Sequence, residues 1–143
     1  KRVLQGLDHA AIYLLIAGSY TPFLLVNMRG RLGWTLLGVV WGLALLGIAL
    51  RTIFVGRFEK LAVVGYVLMG WLMVVGFREL KLAVPPGGVT LIVAGGVTYT
   101  VGVIFFAWRK LPYNHAIWHL FVLGGSICHF LAILLYVLPA GHP

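Results

Sequence analysis

The chain has 143 residues, of which 62% are hydrophobic and only 10% charged, and its mean hydropathy is +1.03. These values exclude an ordinary soluble globular domain and make lipid the solvent for most of the sequence. The formal net charge of +8 does not point to nucleic acid, because the eleven Lys and Arg residues sit in short segments between apolar runs rather than on one polar face.

Apolar stretches long enough to cross a hydrocarbon core recur five times, predicting an all-α, polytopic membrane helix bundle in a single transmembrane domain over residues 1–143. The predicted spans are 8–26, 33–50, 60–77, 88–107 and 114–138. Lys1-Arg2 before an apolar run resembles a signal peptide, but Asp8 and His9 interrupt the run and four more spans follow, so the segment reads as a membrane helix. The absence of an initiator Met suggests that an N-terminal part is missing. Pro22 is expected to bend the first helix near its end.

The first two helices are separated by Asn27-Met28-Arg29-Gly30-Arg31, and the next break runs from Arg51 to Lys60. Gly38 and Gly42 have the small-xxx-small spacing, and Gly95, Gly96, Gly102, Gly124 and Gly125 add small surfaces. All of these are read as helix-packing positions. Arg78, Glu79 and Lys81 with the Pro85-Pro86-Gly87-Gly88 breaker end the third span, and Arg109-Lys110-Leu111-Pro112 ends the fourth. Trp34 and Trp108 fall near helix ends, where indoles suit the interface, whereas Trp41, Trp71 and Trp118 lie deeper and receive no chemical role.

Lys1, Arg2, Arg51, Arg57, Lys60, Arg109 and Lys110 lie on one side of the predicted topology, against Arg29, Arg31, Arg78 and Lys81 on the other. The positive-inside rule then puts the visible N-terminus in the cytoplasm and the C-terminus outside. Cys128, the single cysteine, lies in an apolar run and offers no intrachain disulfide.

Ionisable groups at membrane depth need a partner, water or a metal, which makes each one a functional candidate. Asp8 opens the first span, and His115 and His119 open the fifth, in Asn114-His-Ala-Ile-Trp-His119. An even number of crossings separates the two helix starts, so all three residues are expected on one side. Spacing of four puts the two imidazoles about 40° apart and one turn apart, where both reach a single ion such as zinc. The same spacing also suits a helix-packing pair, and Asp8 also suits an N-cap or first-turn acid. The motif has no internal Glu to act as a base, unlike HExxH. His129 is too far along the helix to share an ion with His119 and is expected to hydrogen-bond another helix; His9 and His142 are left out of the site.

Two segments, Leu7-Asp8-His9-Ala-Ala-Ile-Tyr-Leu-Leu-Ile-Ala-Gly-Ser-Tyr-Thr-Pro22-Phe23 and Pro112-Tyr-Asn-His115-Ala-Ile-Trp-His119-Leu-Phe, resemble bacterial haemolysin III proteins, within the progestin and adiponectin receptor superfamily. The resemblance spans the whole chain. It implies helices three to seven of a seven-helix fold in a bacterial inner membrane. It also implies zinc held by three histidines, with an Asp contacting the water on the metal. Carried over by position, His115 and His119 match two ligands and Asp8 matches the acid; the third ligand, from the end of the second helix, has no counterpart in this sequence.

A catalytic zinc site in a membrane implies hydrolysis of a lipid amide, a reaction in which some relatives are implicated, with Asp8 as the catalytic residue. The alternative is a non-enzymatic protein, a pore-forming cytolysin or a membrane-homeostasis or receptor-like protein, in which zinc ties helices together. Membrane lipids are the expected partners, and nucleic acid is not one. The middles of the five spans carry no continuous polar stripe of the kind a pore needs.

Overall fold

A backbone in lipid must satisfy its polar groups internally, and in the computed structural model the apolar stretches do so as helices. The structure describes residues 2–54 and 59–139; Lys1, Arg57 and His142 lie outside them. Among the described residues there are six α-helices and no strand: α1 (Arg2–Pro22), α2 (Arg31–Ile53), α3 (Glu59–Trp71), α4 (Phe77–Ala83), α5 (Pro86–Ala107) and α6 (Asn114–Ala132). Wide π-turns extend α1 through Phe23–Asn27 and α6 through Ile133–Val137. Four helical stretches are long and apolar enough to cross a membrane, and a fifth crosses if α3 and α4 together form one broken span.

That break departs from the continuous span predicted over 60–77. A tight 3-10 turn at Leu72–Val74 follows α3, and Arg78, Glu79 and Lys81 form a short helix rather than a connecting loop. The turn is held by Tyr20, whose hydroxyl accepts the Met73 N–H at 3.1 Å and lies 2.7 Å from the carbonyl oxygens of both Met69 and Gly70. A phenol from α1 thus supplies the bonds that a regular helix would have made within itself. Pro22, the last residue of α1, keeps helical dihedrals, φ −59° and ψ −43°, and marks the switch to the wider turn. Pro86 occupies the first turn of α5, where a missing N–H costs nothing, so that helix begins two residues before its predicted start.

The chain divides into two compact units, Lys1–Arg78 and Glu79–Pro143. In the first, α1 packs against α2 and α3. Gly33, Leu36, Val40, Ala44 and Arg51 are buried at helical spacing along one face of α2. Gly38 and Gly42 lie on the opposite, exposed face, and among the described residues nothing comes within 4 Å of where their Cβ atoms would stand. Within the first unit this pair packs against no helix among the described residues: the small-xxx-small spacing is present but out of phase with the buried stripe. Gly47 makes the close approach instead, against the ring of Tyr13.

In the second unit α5 pairs with α6. Gly95 receives the ring of His129, Gly102 receives Phe121 and Trp118, and Gly125 receives Tyr99, so three of the five glycines expected to pack in this half do so closely. Gly124 is in ordinary contact with Thr98, and Gly96 faces open space among the described residues. His129 donates from Nε2 to the Ile92 carbonyl at 3.2 Å, the cross-helix hydrogen bond expected of it. Leu120, Leu123, Phe130 and Leu135 remain exposed, as lipid-facing side chains should.

Candidate metal centre

The second unit builds its polar end from a short loop. Trp108 closes α5, two turns follow, and Tyr113 adopts a left-handed conformation, φ 59°, just before α6. For a residue with a Cβ this backbone is costly, and it sets the direction in which α6 departs. Asn114 then ties the two helices together: its Nδ2 donates to the Phe106 carbonyl at 3.0 Å, and its Oδ1 accepts the His115 N–H at 2.9 Å. One side chain thereby satisfies an orphan carbonyl of α5 and an orphan N–H of α6.

His115 and His119 follow on one face of α6, with their Nε2 atoms 2.9 Å apart and their rings edge to face at 4.6 Å between centroids. Phe106 and the buried Trp118 flank His115, with ring centroids 5.8 and 5.6 Å from it. His115 is itself exposed and His119 half-buried.

Two converging imidazole nitrogens are a donor pair that a metal ion can take. Tetrahedral zinc with Zn–N distances of about 2.0–2.1 Å holds two nitrogens about 3.3 Å apart, a few tenths of an ångström wider than the observed pair. A small rotation of either ring would bridge that difference, and both Nε2 atoms would have to be unprotonated to hold a metal.

In the first unit, Asp8 stands in α1 beyond its first turn, because that helix begins at Arg2 rather than near Asp8. The alternative of an N-cap or first-turn acid is therefore incorrect, and the carboxylate is half-buried on the flank of a formed helix. His9, one residue on, is buried and accepts a hydrogen bond at Nε2 from Arg51 Nη2 at 3.1 Å. Reading Arg51 only as a topology charge missed this: the side chain turns inward. No pattern in the sequence distinguished it from Arg57. Asn114, the first residue of α6, was also missed as a positioning group, because its bond to the Phe106 carbonyl joins two helices and leaves no local signal.

The sequence profile of a family described as Haemolysin-III related matches residues 1–130. The chain belongs to the haemolysin III family. It is 57% identical over 139 residues to Hemolysin-3 of Bacillus cereus, covering 97% of this chain and 64% of that protein. It is 50% identical over 136 residues to the Hemolysin-3 homolog of Bacillus subtilis (strain 168), covering 95% and 64%. The human Monocyte to macrophage differentiation factor is 30% identical over 134 residues, covering 91% of this chain and 54% of that protein, in keeping with the wider progestin and adiponectin receptor superfamily. The chain thus spans just under two thirds of the length of its haemolysin III relatives. No solved structure matches it significantly. As a haemolysin III member with four to five apolar spans, it is a multi-pass membrane protein.

Proposed function

We infer that this protein is a zinc-dependent hydrolase of lipid amides in the bacterial plasma membrane, with its metal site at the cytoplasmic side. The observation that carries the reading is the convergence of the His115 and His119 Nε2 atoms to 2.9 Å at the start of a membrane-spanning helix. The even number of crossings between α1 and α6, and the positive-inside count, support bringing Asp8 to the same side as the histidines.

Zinc, when bound by His115 and His119 together with a further ligand, supplies a Lewis acid that polarises the substrate carbonyl and makes water acidic enough to ionise near neutral pH. Asp8 accepts the proton that the attacking water loses as its oxygen bonds to the amide carbon. As the C–N bond breaks, Asp8 returns that proton to the leaving nitrogen, so a carboxylic acid and an amine depart and the carboxylate is regenerated. Asn114 holds the backbone of His115 throughout, and the Phe106 and Trp118 rings restrict water on one side of that imidazole.

The test is metal content by mass spectrometry of the full-length protein purified in detergent, beside a His115→Ala/His119→Ala variant, followed by turnover of ceramide-like amides. Near-stoichiometric zinc lost in the variant, with turnover abolished by Asp8→Asn, supports the reading. A well-folded protein without zinc overturns it.

A second, non-enzymatic reading rests on the name of the Hemolysin-3 relatives, which denotes lysis. Dye release from liposomes at low protein-to-lipid ratio, unchanged by loss of both histidines, would favour lysis over hydrolysis.

A further inference from the structure

Helical spacing brings His115 and His119 to one face of α6, but the plane of each imidazole is set by what it touches. The terminal torsion of histidine is broad, so the helix fixes where the rings start and not which way their nitrogens face. Trp118 touches both rings. Its ring centroid lies 5.6 Å from that of His115 and 4.9 Å from that of His119, at interplanar angles of 60° and 44°. Phe106, on α5, backs the indole at 4.7 Å and reaches His115 at 5.8 Å.

The indole is the fixed member of this group. Trp118 is 3% exposed, whereas His115 is exposed. On a helix turning about 100° per residue, position 118 projects about 60° to one side of position 115, and here that side is the seam with α5. The buried Gly102 of α5 makes the room: a Cβ there would stand 3.2 Å from Trp118 Cδ1 and 2.6 Å from Phe121 Cβ. Phe121 in turn stacks on Phe105, with centroids 5.0 Å apart and planes 15° from parallel. Close-packed rings of this kind turn only if their neighbours move, whereas an imidazole at their edge turns freely unless they stop it.

We propose that Trp118 is a positioning residue of the metal centre, holding both imidazole planes so that the two Nε2 atoms face one point. The proposal rests on the reading of His115 and His119 as metal ligands. Asn114 acts on the backbone of His115; Trp118 acts on the rings of both ligands. The Nε2 atoms, 2.9 Å apart, must open to about 3.3 Å around a tetrahedral zinc, and each ring makes that turn against the indole. Ligands held near their bound geometry lose less freedom when the ion arrives, which raises affinity without a further bond to the metal.

The experiment is titration of the full-length protein, purified in detergent, with cobalt(II) and zinc. Bound cobalt is read by its visible d–d spectrum and zinc affinity by chelator competition. Trp118→Leu keeps an apolar side chain but no flat face, so zinc affinity should fall roughly tenfold or more, and the cobalt spectrum of the folded protein should change. Trp118→Phe, which keeps one ring, should fall between Trp118→Leu and wild type in both readouts. Gly95→Ala disturbs the same helix pair, because its methyl meets His129 and the Gly125 carbonyl instead; it should unfold at a lower temperature with wild-type affinity and spectrum. Unchanged affinity and spectrum in Trp118→Leu overturn the proposal. An equal loss in Gly95→Ala also overturns it, since the effect would then be one of stability alone. If Trp118→Leu fails to fold, Trp118→Phe carries the same test, and wild-type values there overturn the proposal. Wild-type protein that binds neither ion is a different failure: it overturns the metal reading, and the proposal with it.

Discussion

The side-chain oxygen of Asn114 accepts the backbone N–H of His115 at 2.9 Å, while the amide nitrogen of the same residue holds the last turn of α5 through the Phe106 carbonyl. The first metal-ligand candidate is thus fixed by its own neighbour before any ion arrives. Replacing Asn114 by Leu removes both bonds and leaves both imidazoles in place. Groups that orient ligands typically contribute about 10- to 100-fold in metal affinity. Zinc affinity of Asn114→Leu, measured by chelator competition, is expected to fall by about that factor, and an unchanged affinity would show that the helix alone positions His115.

Tyr20 presents a second dependence across helices. Tyr20→Phe leaves the buried Met73 N–H without its acceptor and removes the donor to the Met69 and Gly70 carbonyls. An unsatisfied buried polar group costs about 1–3 kcal/mol, so thermal unfolding in detergent should shift to lower temperature. Thr98→Val, which removes only an exposed hydroxyl bonded to the preceding turn, should leave the midpoint nearly unchanged.

The two kinds of glycine separate in the same assay. A methyl at Gly95 meets the His129 ring and the Gly125 carbonyl, so Gly95→Ala is expected to destabilise by about 1–3 kcal/mol through overpacking. Gly38→Ala meets nothing among the described residues and gains helix propensity of up to about 1 kcal/mol. A stabilised Gly95→Ala, or a strongly destabilised Gly38→Ala, would contradict this packing.

His129 separates structure from chemistry. Its Nε2 bonds the Ile92 carbonyl near the other end of α6, so His129→Leu should cost roughly 1 kcal/mol of stability. Metal content should not change. A loss of zinc in that variant equal to the loss in His115→Ala would remove the distinction between the two histidines.

Much of this was legible in one dimension. Apolar length specified four of the helices to within a few residues, because lipid leaves the backbone no other way to satisfy itself. The four-residue spacing of His115 and His119 specified their convergence, since helical geometry alone brings those positions together. The family was equally legible, because the Asp8 and His115 segments are contiguous strings of sequence.

Where bonds run between helices, the sequence was silent. The break after Trp71 carries no proline, since a phenol 53 residues before Met73 supplies the competing hydrogen bonds. Gly38 and Gly42 match the packing motif as well as a true packing pair would; only the phase of the buried stripe of α2 shows that they lie off the packed face of the first unit. The inward turn of Arg51 depends on His9 in another helix. Local periodicity and solvent fix which segments are helices, whereas the partner of a polar side chain is a property of the packed neighbours, and those exist only once the helices have come together.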